Sequence, residues 1–88
     1  KYSLPTGAFK KDLKRIHKRG LKVEKLQEII SLLQTDTPLP QVNRPHKLSG
    51  EYAGLWECHI ESDWLLIYAL TAEEIRLIRT GTHADLFE

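Results

Sequence analysis

Six residues in the second half of the chain are of types that could together carry out proton transfer beside a bound anion. They are His46, His59, Asp63, Arg79, His83 and Phe87. Because imidazole has a reference pKa of about 6.5, it can take up or release a proton near neutral pH, and a nearby carboxylate can orient or bias it. A planar guanidinium can hold two phosphate oxygens and stabilise added negative charge. These residue types therefore predict metal-free acid–base chemistry on a phosphate.

Zinc catalysis and cysteine catalysis are less well supported by the spacing. The three histidines and the aspartate would supply enough zinc ligands, but the sequence contains no H-E-x-x-H pair and no tight Cys/His cluster, so we expect no metal and no cofactor. Cys58 is the only cysteine, which excludes an intramolecular disulfide and fits a reducing, cytoplasmic setting. Strand alternation turns Cys58 away from His59, so we do not expect a cysteine nucleophile.

Two amphipathic helices are predicted in the first part of the chain, after a short strand candidate at Tyr2 to Leu4. Thr6 can cap a helix that begins near Gly7, and apolar residues then recur at helical spacing until Gly20 ends the helix. A second amphipathic helix is expected from about Lys22 to Gln34. The very short connection between them predicts a helical hairpin.

Three strands are predicted after a proline-rich loop at Thr35 to Pro45. They are Leu55 to Ile60, Trp64 to Leu70 and Ile75 to Thr80, and the short polar stretches between them suit antiparallel hairpins. With 88 residues there is room for one domain, residues 1–88, with one modest core. The expected architecture is α+β, with a helical hairpin packed on one face of a small antiparallel β-sheet. No apolar run approaches the ~20 residues that cross a bilayer, so we expect no membrane partner.

The predicted strand ends place several of the candidate residues where they could share a cleft. His59 lies on the strand face opposite Cys58, and Asp63 follows across the next turn. His83 comes after the last strand, where the chain can bend back over the sheet. Taken singly, each residue also has a structural explanation: Asp63 could be a turn former, His46 a loop residue, and Arg79 an ion-pair partner of Glu57 or Glu61. Convergence of several such residues is what favours a functional site.

Three sequence blocks follow the helical hairpin in a specific order and spacing. They are PHKLSG at 45–50, ECHIESDWLLIY at 57–68 and RTGTHADLF at 79–87. In these blocks the chain closely resembles the YafQ branch of the RelE/ParE toxin superfamily. The resemblance implies a RelE-like fold and a type II toxin, a small endoribonuclease that enters the ribosomal A site, cuts translated mRNA and is restrained by a DinJ- or RelB-like antitoxin. It also implies that the six residues named first form the active site and that Trp64 lies near it, although Trp64 alone would be interpreted as a core residue.

Positive charge is concentrated in the helical hairpin, although the formal net charge of the chain is only +1. Such an asymmetry predicts a polyanionic partner, which the resemblance implies to be ribosomal RNA of the small subunit together with the mRNA. The candidate RNA-binding residues are Lys10, Lys11, Lys14, Arg15, Lys18, Arg19, Lys22, Lys47 and Trp64. The alternative explanation of the lysines and arginines is a solvated helix face that keeps the protein soluble.

Cleavage of RNA requires a base for the 2′-hydroxyl, an acid for the departing 5′-oxygen and a cation for the phosphorane. Our hypothesis gives the base role to Asp63 or His46 and the acid role to His83, with the reverse order of acid and base left open. Arg79 would clamp the phosphate and His59 would give a supporting proton or phosphate contact.

Two other functions remain open at this point. ParE-like relatives share the scaffold but bind DNA gyrase without cutting RNA, and an RNA-binding module without turnover would also fit the charge. The array of histidines favours the nuclease, in which Phe87 would stack on a nucleotide.

Overall fold

A five-stranded sheet forms the centre of the structure, which is a computed structural model that describes residues 1–87. The strands lie in the order β1-β5-β4-β3-β2. The elements are β1 (Tyr2–Pro5), α1 (Gly7–Lys18), α2 (Val23–Gln34), β2 (His46–Lys47), β3 (Trp56–Glu61), β4 (Trp64–Leu70), β5 (Glu74–Gly81) and α3 (His83–Phe87). Two short 3-10 helices, Gln41–Asn43 and Gly50–Tyr52, lie on either side of β2.

The predicted helical hairpin is confirmed, with α1 capped as expected. The hydroxyl of Thr6 accepts a hydrogen bond from the backbone N–H of Phe9 at 3.0 Å. Gly20 adopts a φ of +76°, a conformation that glycine reaches without strain, and it allows the chain to turn directly into α2. Phe9 and Ile16 are buried on one side of α1, so its lysines are left on the solvent side.

The sheet is antiparallel except at one edge, where β1 pairs parallel with β5. The α+β class and the hairpin on a mainly antiparallel sheet are confirmed, while the parallel pairing of β1 with β5 was not part of the prediction. A parallel pair requires a long crossover connection, and here the whole chain between β1 and β5 provides it. Because no short turn sequence connects β1 to β5, the sequence pattern does not indicate that these two strands pair.

The core has two parts because β4 is buried on both faces. On one face of the sheet, the hairpin packs against alternate residues such as Cys58 and Leu66. On the other face, Leu86 of α3 packs against Leu65 and Ile67. This double burial explains why the sequence of β4 is a continuous apolar run instead of an alternating one. Within residues 1–87, no helix is long and apolar enough to span a membrane.

A bulge in β5 sets the position of Arg79. The ladder between β4 and β5 shifts by one residue, so that Tyr68 lies opposite Leu77 while Ile67 lies opposite Arg79. Ile78 is the extra residue, and bulges of this kind redirect the side chains that follow them. Arg79 is thereby aligned with Ile67, whose side chain belongs to the cluster on the α3 face.

Candidate active site

Asp63 and His83 form a hydrogen-bonded pair at the N-terminus of α3. Asp63 lies in the turn between β3 and β4, and its Oδ1 accepts the backbone N–H of His83 at 3.0 Å. The same oxygen lies 2.8 Å from Nδ1 of His83. Because the backbone N–H and then the ring of His83 donate to it, the pKa of Asp63 is held below its ordinary value. With Nδ1 turned toward the carboxylate, Nε2 of His83 is left to exchange a proton with a substrate.

Glu57 is a buried carboxylate that lies between two imidazoles. Its side chain is 6% exposed, and its Oε1 lies 3.3 Å from Nε2 of His46 and 4.0 Å from Nε2 of His59. From the sequence, Glu57 is expected only as an ion-pair partner of Arg79. Its proximity to His59 was in principle visible, since residues two apart share a strand face. The pairing with His46 was not, because it depends on the short strand β2, in which His46 lies opposite Glu57.

His46 is held by acceptors at both ring nitrogens. Its Nδ1 lies 2.8 Å from the carbonyl oxygen of Arg44, and its Nε2 faces Glu57. Arg44 itself adopts a left-handed conformation with φ of +45°, which is uncommon for a residue with a side chain and directs its carbonyl toward the ring.

The imidazoles and Phe87 form a continuous row across the surface. Ring centroids are 6.5 Å apart for His46 and His59, 6.2 Å for His59 and His83, and 6.2 Å for His83 and Phe87. Tyr52 supports the far end through an edge-to-face contact with Phe87, with centroids 5.5 Å apart. Together with Asp63, which is hydrogen-bonded to His83, the row brings together five of the six residues singled out from the sequence.

Arg79 is the sixth, and its guanidinium is bound by an acidic residue of α1. Its Nε and Nη2 donate to the two carboxylate oxygens of Asp12, at 2.6 and 3.0 Å. These hydrogen bonds raise the pKa of Arg79 further, so the group stays cationic. Within residues 1–87, no hydrogen bond or ion pair joins Arg79 to Glu57, to Glu61 or to the imidazoles. Asp12, like Glu57, was not singled out from the sequence.

Asp85 connects α3 to α1 by a second set of ion pairs. Arg19 donates to both of its carboxylate oxygens at 2.6 and 2.9 Å, and Arg15 lies 3.5 Å away. Chiefly because of the hydrogen bonds from Arg19, the pKa of Asp85 is held far below its usual range. Asp85 also covers Gly81, where a Cβ would lie 2.7 Å from Oδ2 at a φ of +157°. A residue with a side chain would displace this carboxylate, and with it α3.

The predicted RNA-binding residues fall into three groups in the structure. Arg15 and Arg19 are engaged with Asp85, and Nζ of Lys47 lies 5.6 Å from the ring centroid of Trp56, within reach of a cation–π contact. Trp64 is 2% exposed, so its indole is part of the core and not of the surface open to RNA. The remaining candidates are exposed lysines of the hairpin: Lys10, Lys11, Lys14, Lys18 and Lys22.

Within residues 1–87, neither Cys58 nor the potential metal ligands form a further site. Cys58 is fully buried, and burial together with the charge of Glu57 raises the pKa of its thiol to about 12, which leaves no thiolate nucleophile near neutral pH. Among residues 1–87, no group of three or more histidine, cysteine, aspartate or glutamate side chains is arranged to hold a metal ion.

The geometry defines a small α+β protein with a row of three imidazoles, two of which lie beside carboxylates. A family model described as "Bacterial toxin of type II toxin-antitoxin system, YafQ" matches residues 2–88. The chain belongs to this family of bacterial toxins, which confirms the resemblance found in the three sequence blocks.

Curated relatives and solved structures agree with this assignment. The chain is 45% identical over 83 residues to the mRNA interferase toxin YafQ of Escherichia coli, covering 93% of this chain and 90% of the relative. It superimposes on a crystal structure of E. coli YafQ with a TM-score of 0.94 at 41% identity, covering 98% and 97% of the two chains. The E. coli DinJ–YafQ toxin–antitoxin complex matches with a TM-score of 0.90 at 41% identity, covering 98% and 96%.

Proposed function

We propose that this toxin is an endoribonuclease that cuts translated mRNA on the ribosome and thereby inhibits translation. The observation that carries the proposal is the row of three imidazoles, two of which are held by carboxylates. The name of the E. coli relative, mRNA interferase toxin, supports the same activity. A toxin that acts only by binding would not need several titratable groups side by side.

Proton transfer is proposed to run between His83 and His46. His83 donates Nδ1–H to Asp63, so its Nε2 can accept the proton of the ribose 2′-hydroxyl as that oxygen attacks phosphorus. His46, whose Nδ1 lies 2.8 Å from the carbonyl oxygen of Arg44, would turn its Nε2–H away from Glu57 and donate that proton to the departing 5′-oxygen. This order is the reverse of the hypothesis drawn first from the sequence. Asp63 is assigned to orienting His83, because a carboxylate with a lowered pKa is a weak base.

The other three residues are proposed to bind the RNA around the reacting phosphate. One side of the Arg79 guanidinium donates hydrogen bonds to Asp12. The other end, formed by Nη1 and Nη2, can therefore donate to the non-bridging phosphate oxygens and stabilise the negative charge that the phosphorane gains. His59 contributes a further contact to the phosphate or the transferred proton. Phe87, which is 44% exposed, offers an aromatic face on which a nucleotide can stack. The products would be a 2′,3′-cyclic phosphate and a 5′-hydroxyl.

Purified protein in a translating extract tests the proposal directly. We expect new message ends within translated regions, none on the same RNA without ribosomes, and cleavage slowed roughly 10²- to 10⁴-fold by His83→Gln. Cleavage of ribosome-free RNA at the same rate would show that the endoribonuclease does not require the ribosome. Gyrase-dependent DNA breaks without message cleavage would instead support a ParE-like toxin, and retention of RNA without cutting would support a binding module.

The exposed lysines of α1 are proposed to dock the toxin on ribosomal RNA. Each phosphate contact releases counterions, so binding should weaken steeply as salt rises. We expect Lys14→Glu combined with Lys18→Glu to weaken ribosome binding roughly tenfold or more and to lower the salt slope by about 2. Binding titrations at several salt concentrations measure both effects.

A matched control for the lysine pair keeps the change in net charge the same. Lys25→Glu combined with Arg76→Glu alters exposed residues outside α1 and should leave both affinity and slope nearly unchanged. Equal weakening by the two double variants would show that total charge, and not the α1 face, governs binding.

The cognate antitoxin is proposed to resemble DinJ or RelB and to cover the basic hairpin, the cleft or both. The match to the DinJ–YafQ complex supports a partner of this kind. Action on translating ribosomes would place the toxin in the cytoplasm.

A further inference from the structure

Asp12 stands out because it is a buried carboxylate on an otherwise basic helix. It is 2% exposed, and it accepts three hydrogen bonds from β5: two from the guanidinium of Arg79 and one, at 3.1 Å, from the backbone N–H of Thr80. A carboxylate is costly to bury unless it is paired and hydrogen-bonded, and here both conditions are met. Its position is therefore tightly determined.

The edge of the sheet explains why α1 supplies this group. β1 ends at Pro5, opposite Leu77, so the rest of β5 has no neighbouring strand on that side. α1 lies along this uncovered part of β5, and the carboxylate of Asp12 accepts the N–H of Thr80 that a strand would otherwise have paired. The same carboxylate is then in place to bind the next side chain along the edge, Arg79.

The contact fixes the orientation of the guanidinium as well as its position. Asp12 occupies the side formed by Nε and Nη2, at 2.6 and 3.0 Å, and a two-point contact prevents rotation of the planar group. The outer end, with Nη1 and the second N–H of Nη2, is left to bind an anion. An arginine held in this way loses little conformational freedom when phosphate arrives.

We propose that Asp12 is a positioning residue that holds the outer end of Arg79 toward the scissile phosphate; this rests on the clamp role given to Arg79 above. Asp12 does not touch the RNA itself. Its contribution acts through Arg79, which distinguishes it from a residue that only stabilises the fold.

A double-mutant cycle separates positioning from stability. We expect Asp12→Asn to lower kcat for message cleavage roughly 10- to 100-fold with little change in KM, since displacement of a catalytic group by about 1 Å has effects of this size. In an Arg79→Ala background the same substitution should have no further effect on kcat. Asp36→Asn, on an exposed aspartate that pairs with Lys1, serves as the control and should behave as the parent.

Chemical rescue distinguishes positioning from a purely structural role, because the rescue should depend on Asp12 only if Asp12 binds the guanidinium. Guanidinium ion added to Arg79→Ala should restore part of the lost rate, because Asp12 still forms the half of the site that binds it. The double variant Asp12→Asn with Arg79→Ala should not be rescued. If Asp12→Asn proves poorly folded in thermal melts, Asp12→Glu keeps the charge but shifts the guanidinium, and its effect on kcat should likewise vanish without Arg79.

The outcomes distinguish the two proposals. If Arg79→Ala keeps cleavage within tenfold of the parent, the clamp role itself is wrong. If Arg79→Ala loses activity but Asp12 substitutions add to that loss, or guanidinium rescue is independent of Asp12, then Asp12 is structural only and the positioning role is wrong.

Discussion

Replacement of His83 by glutamine is expected to reduce the rate of message cleavage by roughly 10²- to 10⁴-fold, the usual contribution of a positioned proton carrier. Glutamine keeps a polar side chain of similar length but cannot exchange a proton near neutral pH. The side chain of His83 is 57% exposed, so its replacement should change stability little. Single-turnover cleavage on ribosome-bound message measures the first effect, and a thermal melt the second.

A substrate with sulfur in place of the departing 5′-oxygen tests which imidazole is the acid. A thiolate leaves without being protonated, so this substrate should recover the rate lost in His46→Gln but not that lost in His83→Gln. Recovery with His83→Gln alone would restore the first hypothesis, in which His83 is the acid. Cleavage by His83→Gln within tenfold of the parent would show that His83 carries no proton in the reaction.

Replacement of Trp64 by alanine is expected to lower the free energy of unfolding by about 3–5 kcal/mol, the range found for large aromatic residues in cores. The indole is 2% exposed, and its N–H donates to the hydroxyl of Thr80 at 2.9 Å. That hydroxyl in turn donates to the carbonyl of Leu65 at 2.7 Å, so the substitution opens a cavity and breaks a buried chain of hydrogen bonds.

Equilibrium unfolding in denaturant measures this loss, with Trp56 remaining as a fluorescent reporter. The free energy of unfolding of Trp64→Phe should lie between that of the parent and that of Trp64→Ala, because phenylalanine keeps most of the side-chain volume and removes only the hydrogen-bond donor. Val42→Ala is the surface control, since that side chain is 80% exposed and its loss should cost little. A cost for Trp64→Ala no larger than that of the control would mean that the indole does not stabilise the core as its burial indicates.

The local parts of the fold were predictable from the sequence because they follow local rules. The helix cap at Thr6, the turn at Gly20 and the alternation along β3 are each set by residues a few positions apart. The parallel edge between β1 and β5 was not predictable, since nothing near β1 specifies a partner about seventy residues away. α3 was also missed, because a helix of five residues has too few positions to show a periodicity.

The composition of the candidate site was predictable to a similar degree. The histidines, Asp63 and Phe87 could be named from their types and blocks, and the structure places them in one row. Their supporting carboxylates could not, because each depends on contacts between elements. In the sequence, Asp12 is a single acidic residue in a lysine-rich helix, and nothing near it indicates a partner. Only the packing of α1 on β5 brings it to Arg79, 67 positions along the chain.

The ion pairs of α1 have a mechanical consequence. On its inner side the helix holds β5 through Asp12 and α3 through Arg19, while its outer lysines face the solvent. If those lysines anchor the toxin to the ribosome as proposed, the anchor and the cutting residues move as one body. The distance between the ribosome-binding lysines and the active-site residues would then be constant, because one rigid helix connects them. That distance would determine where the message is cut.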